Sequence, residues 1–181
     1  MRHIARLACA LALTAASFGC GGADRTNARV PRAIDSETPS HAPTAGDAAP
    51  AFSLRAIDGA PLTLKRGQVT LLVFWATWSE PDKRELIQLQ GLQTRFGAST
   101  LSVLALSIDD EPSGLAEFAR TYGLKFPIAW DEGHRVSTML RVSLDPTTYV
   151  IDRSGIIRFV HGGYHDGEAE QIASEIESLL R

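Results

Sequence analysis

The sequence predicts an α/β fold, a three-layer sandwich with a mixed central sheet and helices on both faces, from three observations. VTLLVFW (residues 69–75) and LSVLALSI (residues 101–108) are unbroken apolar runs of strand length, as strands buried on both faces require. Between and beyond them, apolar residues recur at helical spacing. Towards the C-terminus, TTYVID and GIIRFVHGG flank Arg153-Ser154-Gly155, a turn between two strands. Strands alternating with helices, then a hairpin and a last helix, give a mixed sheet covered on both sides.

The elements follow in order. AFSLRAIDGAPLTL alternates apolar and polar residues around Asp58-Gly59, which predicts a hairpin-like pair of short strands. After the first buried strand, Leu86, Leu89, Leu92 and Phe96 set a helix over residues 80–96. After the second, Pro112 and the series Leu115, Phe118, Ala119, Tyr122 mark another helix that ends near Gly123. FPIAW holds a short strand, and residues 133–141 a further helical turn or two. The last helix, about residues 167–180, carries Ile172, Ile176, Leu179 and Leu180 on one face.

The chain has 181 residues, 44% of them hydrophobic and 22% charged, enough for one ordinary domain and a tail. The formal charge of -3 includes no basic run, so the phosphate-neutralising surface that nucleic-acid binding needs is missing. The tail is at the front. Arg2 and Arg6 precede an apolar run over residues 7–16 and small residues follow, the pattern of an export signal in residues 1–20. SFGC, ending in Cys20, resembles a bacterial lipobox, although Ser17 stands where such motifs usually carry Leu. The expectation is a lipid anchor on Cys20 and a place in the bacterial cell envelope, facing the periplasm; ordinary cleavage of the signal is the alternative. Residues 21–48 are rich in Gly, Ala, Thr, Pro and Ser and read as a flexible linker ahead of a domain at 49–181.

Chemistry concentrates in WATWSEPDKRE. A helix N-terminus offers unpaired N–H groups and partial positive charge. Ser79 is placed to cap it, Glu80 and Pro81 to form its first turn, and Asp82 to reach back in a capping-box variant. Trp75 reads as core, while Trp78 is placed either as an exposed contact or packed under the helix start. Ser79 as a nucleophile would need a base, and no spacing ties His134, His161 or His165 to it. Glu80, Asp82, Asp145 and a histidine as metal ligands lack any paired spacing such as HxxxH, so neither metal nor cofactor is expected.

The element order, together with APAFSLRAIDG, VFWATWSEPDKRE, KFPIAWD and DPTTYVIDRSG, resembles the thioredoxin-like superfamily over residues 48–181, closest to its redoxin or TlpA/ResA-type thiol-disulfide oxidoreductases. That family carries WCxPCxxE at the helix start. Trp78, Glu80, Pro81 and Glu85 match it, but Ser79 and Asp82 occupy the two cysteine positions. The resemblance implies a cis peptide before Pro146 and a groove there in which an extended segment of another envelope protein pairs with backbone. Two further departures are Ile87, where the family often has a helix-bending proline, and Asp145, where it has small, apolar or hydroxyl residues.

Thiol-disulfide exchange proceeds by thiolate attack on sulfur. Serine and aspartate cannot perform it, and the two cysteines of the sequence, Cys9 and Cys20, lie in or at the end of the predicted signal. The expectation is therefore a non-catalytic binding or scaffolding module whose ligand-binding residues are Trp78, Ser79, Glu80, Pro81, Asp82, Asp145 and Pro146. Its alternatives are the family's oxidoreductase activity and a purely structural domain. A further reading places Asp82 and Asp145 facing one another across the groove, where like-charge proximity within about 8 Å would raise one carboxyl pKa.

Overall fold

A computed structural model describes residues 41–181. The predicted signal, Cys20 and most of the predicted linker lie outside the described residues. Seven strands and four helices follow in order: β1 (Leu54–Arg55), β2 (Pro61–Leu62), β3 (Val69–Trp75), α1 (Glu80–Phe96), β4 (Leu101–Ser107), α2 (Leu115–Thr121), β5 (Ile128–Trp130), α3 (Arg135–Met139), β6 (Thr147–Ile151), β7 (Ile157–Gly162) and α4 (Glu168–Leu180). A single 3₁₀ turn, Glu132–His134, leads into α3.

The main sheet has the order β5-β4-β3-β6-β7. β3 pairs parallel with β4 and antiparallel with β6, so the apolar run at residues 69–75 is the centre of the sheet and all seven of its residues are buried. β1 and β2 form the small antiparallel ribbon expected around Asp58-Gly59, and a bridge from Ala56 to Ala129 fastens it to β5.

The alternation of side chains along β3 divides the core in two. Val69, Leu71, Val73 and Trp75 pack with Leu86, Leu89 and Leu92 of α1, Leu115 and Ala119 of α2, and Ile172 and Ile176 of α4. Leu72 and Phe74 point the other way, towards Val136, Leu140, Ala56 and Leu62. The second face is thus covered by the short α3 and the β1–β2 ribbon. Sheet and two covering layers make the α/β sandwich that the strand and helix pattern predicts.

Backbone pairing with the domain reaches residues before 49, where the composition changes. Gly46 donates to Ile157 O at 2.8 Å, Ile157 donates to Asp47 O at 2.9 Å, and Ala49 donates to Gly155 O at 2.9 Å. Residues 46–48, assigned to the linker by composition, are held by backbone pairing with the start of β7. Such pairing leaves no apolar periodicity for a sequence to display.

Candidate functional site

α1 starts where β3 ends, and Ser79 caps its first turn, although the Ser79 N–H donates to Ala76 O and not to Asp82 as a capping box would have it. Ser79 has extended backbone (φ -90°, ψ 116°) and its hydroxyl accepts from Asp82 N at 3.5 Å. Gly97 closes the helix with φ 82° and donates to Gln93 O. The Asp82 carboxylate turns back towards the strand: Oδ2 accepts from Ala76 N at 2.7 Å and Oδ1 accepts from the Ser79 hydroxyl at 2.5 Å. The residues in the two cysteine positions are therefore hydrogen-bonded to each other, and both are buried. Thr77 is held separately. Its N–H donates to both carboxylate oxygens of Asp109 and its hydroxyl to Oδ1, while Oδ2 also accepts from the Ser107 hydroxyl at 2.6 Å, tying the ends of β3 and β4 together.

Asp82 is charged only against resistance. Burial pushes its carboxyl above the ordinary range, hydrogen bonds from Ser79 and Ala76 pull it back, and the charge of Asp145 pushes it up further. Asp145 thus acts electrically on Asp82. Burial also raises Asp145 itself, and His134 works against the rise. The Asp145–Pro146 peptide is cis, and Pro146 O accepts from Gly163 N at 2.7 Å. The backbone N–H and C=O of Asp145 have no hydrogen-bond partner among the described residues.

The remaining predicted residues separate. Trp78 is 72% exposed and stands out from the helix start, whereas Trp75 is fully buried, packs on Phe118 at 4.8 Å and leaves its indole N–H without a partner. Glu80 faces solvent in an ion pair with Lys83, which lowers its pKa. Pro81 is exposed and Pro146 buried. Ser79 donates to Asp82, and no histidine hydrogen-bonds it among the described residues. Among those residues no group of three or more His, Cys, Asp or Glu is placed to hold a metal ion.

Sequence reasoning named Glu85 only as a match to a family pattern and gave it no part in the site. It is 3% exposed, and Thr148 on β6 donates to its Oε1 at 2.5 Å. Burial pushes the Glu85 carboxyl up to about 8; the bond from Thr148 opposes this, and the charges of Glu168 and Asp82 add to it. Beyond Glu168, His161 lies between two carboxylates, with Nδ1 3.4 Å from Glu168 and Nε2 2.8 Å from Glu175. A signal was available. Asp82, Glu85, Leu86 and Leu89 are spaced three, one and three residues apart, which places both carboxylates on the apolar stripe of α1.

A cavity of about 590 Å³ lies at the other end of α1, among Gln93, Gly97 and Lys125, and does not include Ser79 or Asp145. A smaller one, about 250 Å³, opens beside Asp145.

A central β3 flanked by β4 and β6, a helix that starts at the tip of that strand, and a cis proline leading into β6 define a thioredoxin-fold protein. The chain matches the AhpC/TSA family over residues 45–160, and it belongs to that family. It is 29% identical over 139 residues to the thiol-disulfide oxidoreductase ResA of Bacillus anthracis, covering 75% of this chain and 76% of that one. It is 36% identical over 123 residues to the thioredoxin-like protein YneN of Bacillus subtilis, covering 65% and 71%. Among solved structures, a protein described as a candidate thiol:disulfide interchange protein DsbE from Chlorobium tepidum matches with a TM-score of 0.72 and 27% identity, over 77% of this chain and 99% of that one. StoA from Bacillus subtilis shares the fold, with a TM-score of 0.60 and 23% identity over 68% and 94%.

Proposed function

We propose that this member of the thiol-disulfide oxidoreductase lineage is an envelope protein that binds an extended polypeptide segment at the loop before β6 and does not exchange disulfides. The observation that carries the reading is the open backbone of Asp145. Its unpaired N–H and C=O lie in a partly buried position beside a helix start that presents an exposed tryptophan. Main-chain pairing supplies affinity in such strand-addition sites, and a rigid aromatic supplies contact area. Against catalysis stands the Ser79–Asp82 pair, which has no sulfur to attack or resolve with. The export-like N-terminus supports an envelope location, and Cys20 is the residue assigned to the lipid anchor. Mass spectrometry of the native N-terminus tests the anchor: an acylated Cys20 supports it and an unmodified thiol sinks it.

A second reading is that the protein is itself a thiol-disulfide oxidoreductase. Family membership taken alone favours it, since the Bacillus anthracis relative carries that description and matches 75% of this chain. It requires a thiol from outside residues 41–181, which contain no cysteine. One assay separates the two readings. The full chain is tested for reduction of insulin disulfides with dithiothreitol as the regenerating reductant, beside the double variant Ser79→Cys/Asp82→Cys. Binding without exchange predicts no turnover above buffer for the natural chain and measurable turnover for the double variant. Turnover by the natural chain would establish the second reading.

A further inference from the structure

The cavity beside Asp145 extends the binding reading to the chemistry of the bound segment. It is formed where α3 and its following turn approach the end of β4 and the loop before β6. Ile108 and Val142 give it apolar walls, while Ser137, Thr138 and Ser143 contribute hydroxyls and Asp145 contributes its carboxylate. His134 is its sole basic lining group; no lysine or arginine lines it. Its Nε2 also lies 3.9 Å from the carboxylate of Asp110.

Two side chains here make no hydrogen bond of their own among the described residues. The Asp145 side chain makes no hydrogen bond or ion pair among the described residues, and His134 acts on it only through its charge, although its surroundings are partly dry. Ser137 is only 6% exposed; its N–H donates to Asp131 and its C=O accepts from Val142, but its hydroxyl has no hydrogen-bond partner among the described residues. An unpaired carboxylate with hydroxyl oxygens nearby is a set of acceptors awaiting donors, and apolar walls suit an aliphatic stem. Lysine and arginine combine a stem with a donor-only cationic head. An acidic side chain would meet Asp145 with like charge, and Asp82 adds to the negative field.

From this geometry we infer that the segment bound at Asp145 carries a lysine or arginine, whose charged end enters the cavity bounded by Ser137, Thr138, Ser143 and Asp145. The inference rests on the proposed binding function, since a segment must first lie against Asp145. Asp145 is then a specificity-determining residue, which explains an acidic side chain where the resemblance leads one to expect a small or apolar one. Burial raises the cost of its charge in the empty cavity, and an arriving cation relieves that cost.

The test uses the full chain and three fluorescein-labelled, nine-residue extended peptides that differ only at the central residue: Arg, Ala or Glu. Binding is read by fluorescence anisotropy at low and physiological salt. The Arg peptide is expected to bind about tenfold more tightly than the Ala peptide, as one charge-assisted contact provides, and the Glu peptide more weakly than either. Asp145→Asn is expected to remove the Arg preference, read as the ratio of Arg-peptide to Ala-peptide affinity, and Ser137→Ala to reduce that ratio. Circular dichroism checks that both variants fold. Equal affinity for the Arg and Ala peptides overturns the cation inference and leaves the groove intact. An Arg preference that survives in Asp145→Asn also overturns it. If none of the peptides binds, the binding function itself fails and the inference falls with it.

Discussion

Glu85→Gln isolates the energetic cost of the buried carboxyl behind the site. In the folded protein the Glu85 carboxyl stays protonated up to about pH 8, against an ordinary value of 4.5. Unfolding between those values releases a proton. The stability held below pH 4.5 is therefore lost progressively as pH rises towards 8, at about 1.4 kcal/mol per pH unit. Between about pH 5 and about pH 8 the loss comes to roughly 3 to 4 kcal/mol. Glutamine keeps an acceptor for Thr148 and replaces the acid O–H by an amide N–H, so its volume and bonding fit the site while its titration is gone. Urea unfolding at the two pH values, compared between natural protein and variant, reads out Glu85 alone, because Asp82 and the other carboxylates titrate in both. The variant is expected to match the natural protein near pH 5 and to exceed it near pH 8, with a midpoint higher by roughly 1 to 3 M urea. Parallel losses of stability in the two proteins over this range would refute the reasoning.

Three other perturbations address the helix start and the core. Ser79→Ala removes the cap and a donor to Asp82, and is expected to lower stability by about 1 to 2 kcal/mol in urea unfolding near pH 7. Leu89→Ala, in the α1–sheet interface where Leu89 is fully buried, should cost about 2 to 5 kcal/mol by the same measurement. Trp78→Ala should stay within about 0.5 kcal/mol of the natural protein, because its side chain packs on little, yet weaken binding of the Arg and Ala peptides together. A large stability loss with unchanged peptide binding would make Trp78 a structural residue.

The helix start was legible because its physics is local. Ser79, Pro81 and Asp82 act on backbone within a few residues, so the cap could be read and appears as read. The buried runs at residues 69–75 and 101–107 could be read because no other element of that length has so little polar character. The ends of elements were less legible. α2 begins at Leu115, three residues after the proline taken as its marker, behind Gly114 at φ 92°. The site behind the helix start was not legible as a unit. Glu85, Thr148, Glu168, His161 and Glu175 come from four elements, and their meeting depends on β6 lying beside β3 and on α4 folding back over the same face.

By itself the sequence determined the strand and helix pattern, the resemblance to a family and the absence of thiols where that family holds them. All three depend on residue identity and on spacing along one chain. Tertiary structure alone decided that Asp82 is buried and bonded to Ser79, that Glu85 is forced towards neutrality, and that Trp78 stands in solvent. It also decided that Ser137 and Asp145 share a cavity. Burial and electrostatic environment are set by what distant segments bring near. A carboxylate at a given position can be a cap, a proton store or a recognition group, and only packing distinguishes them.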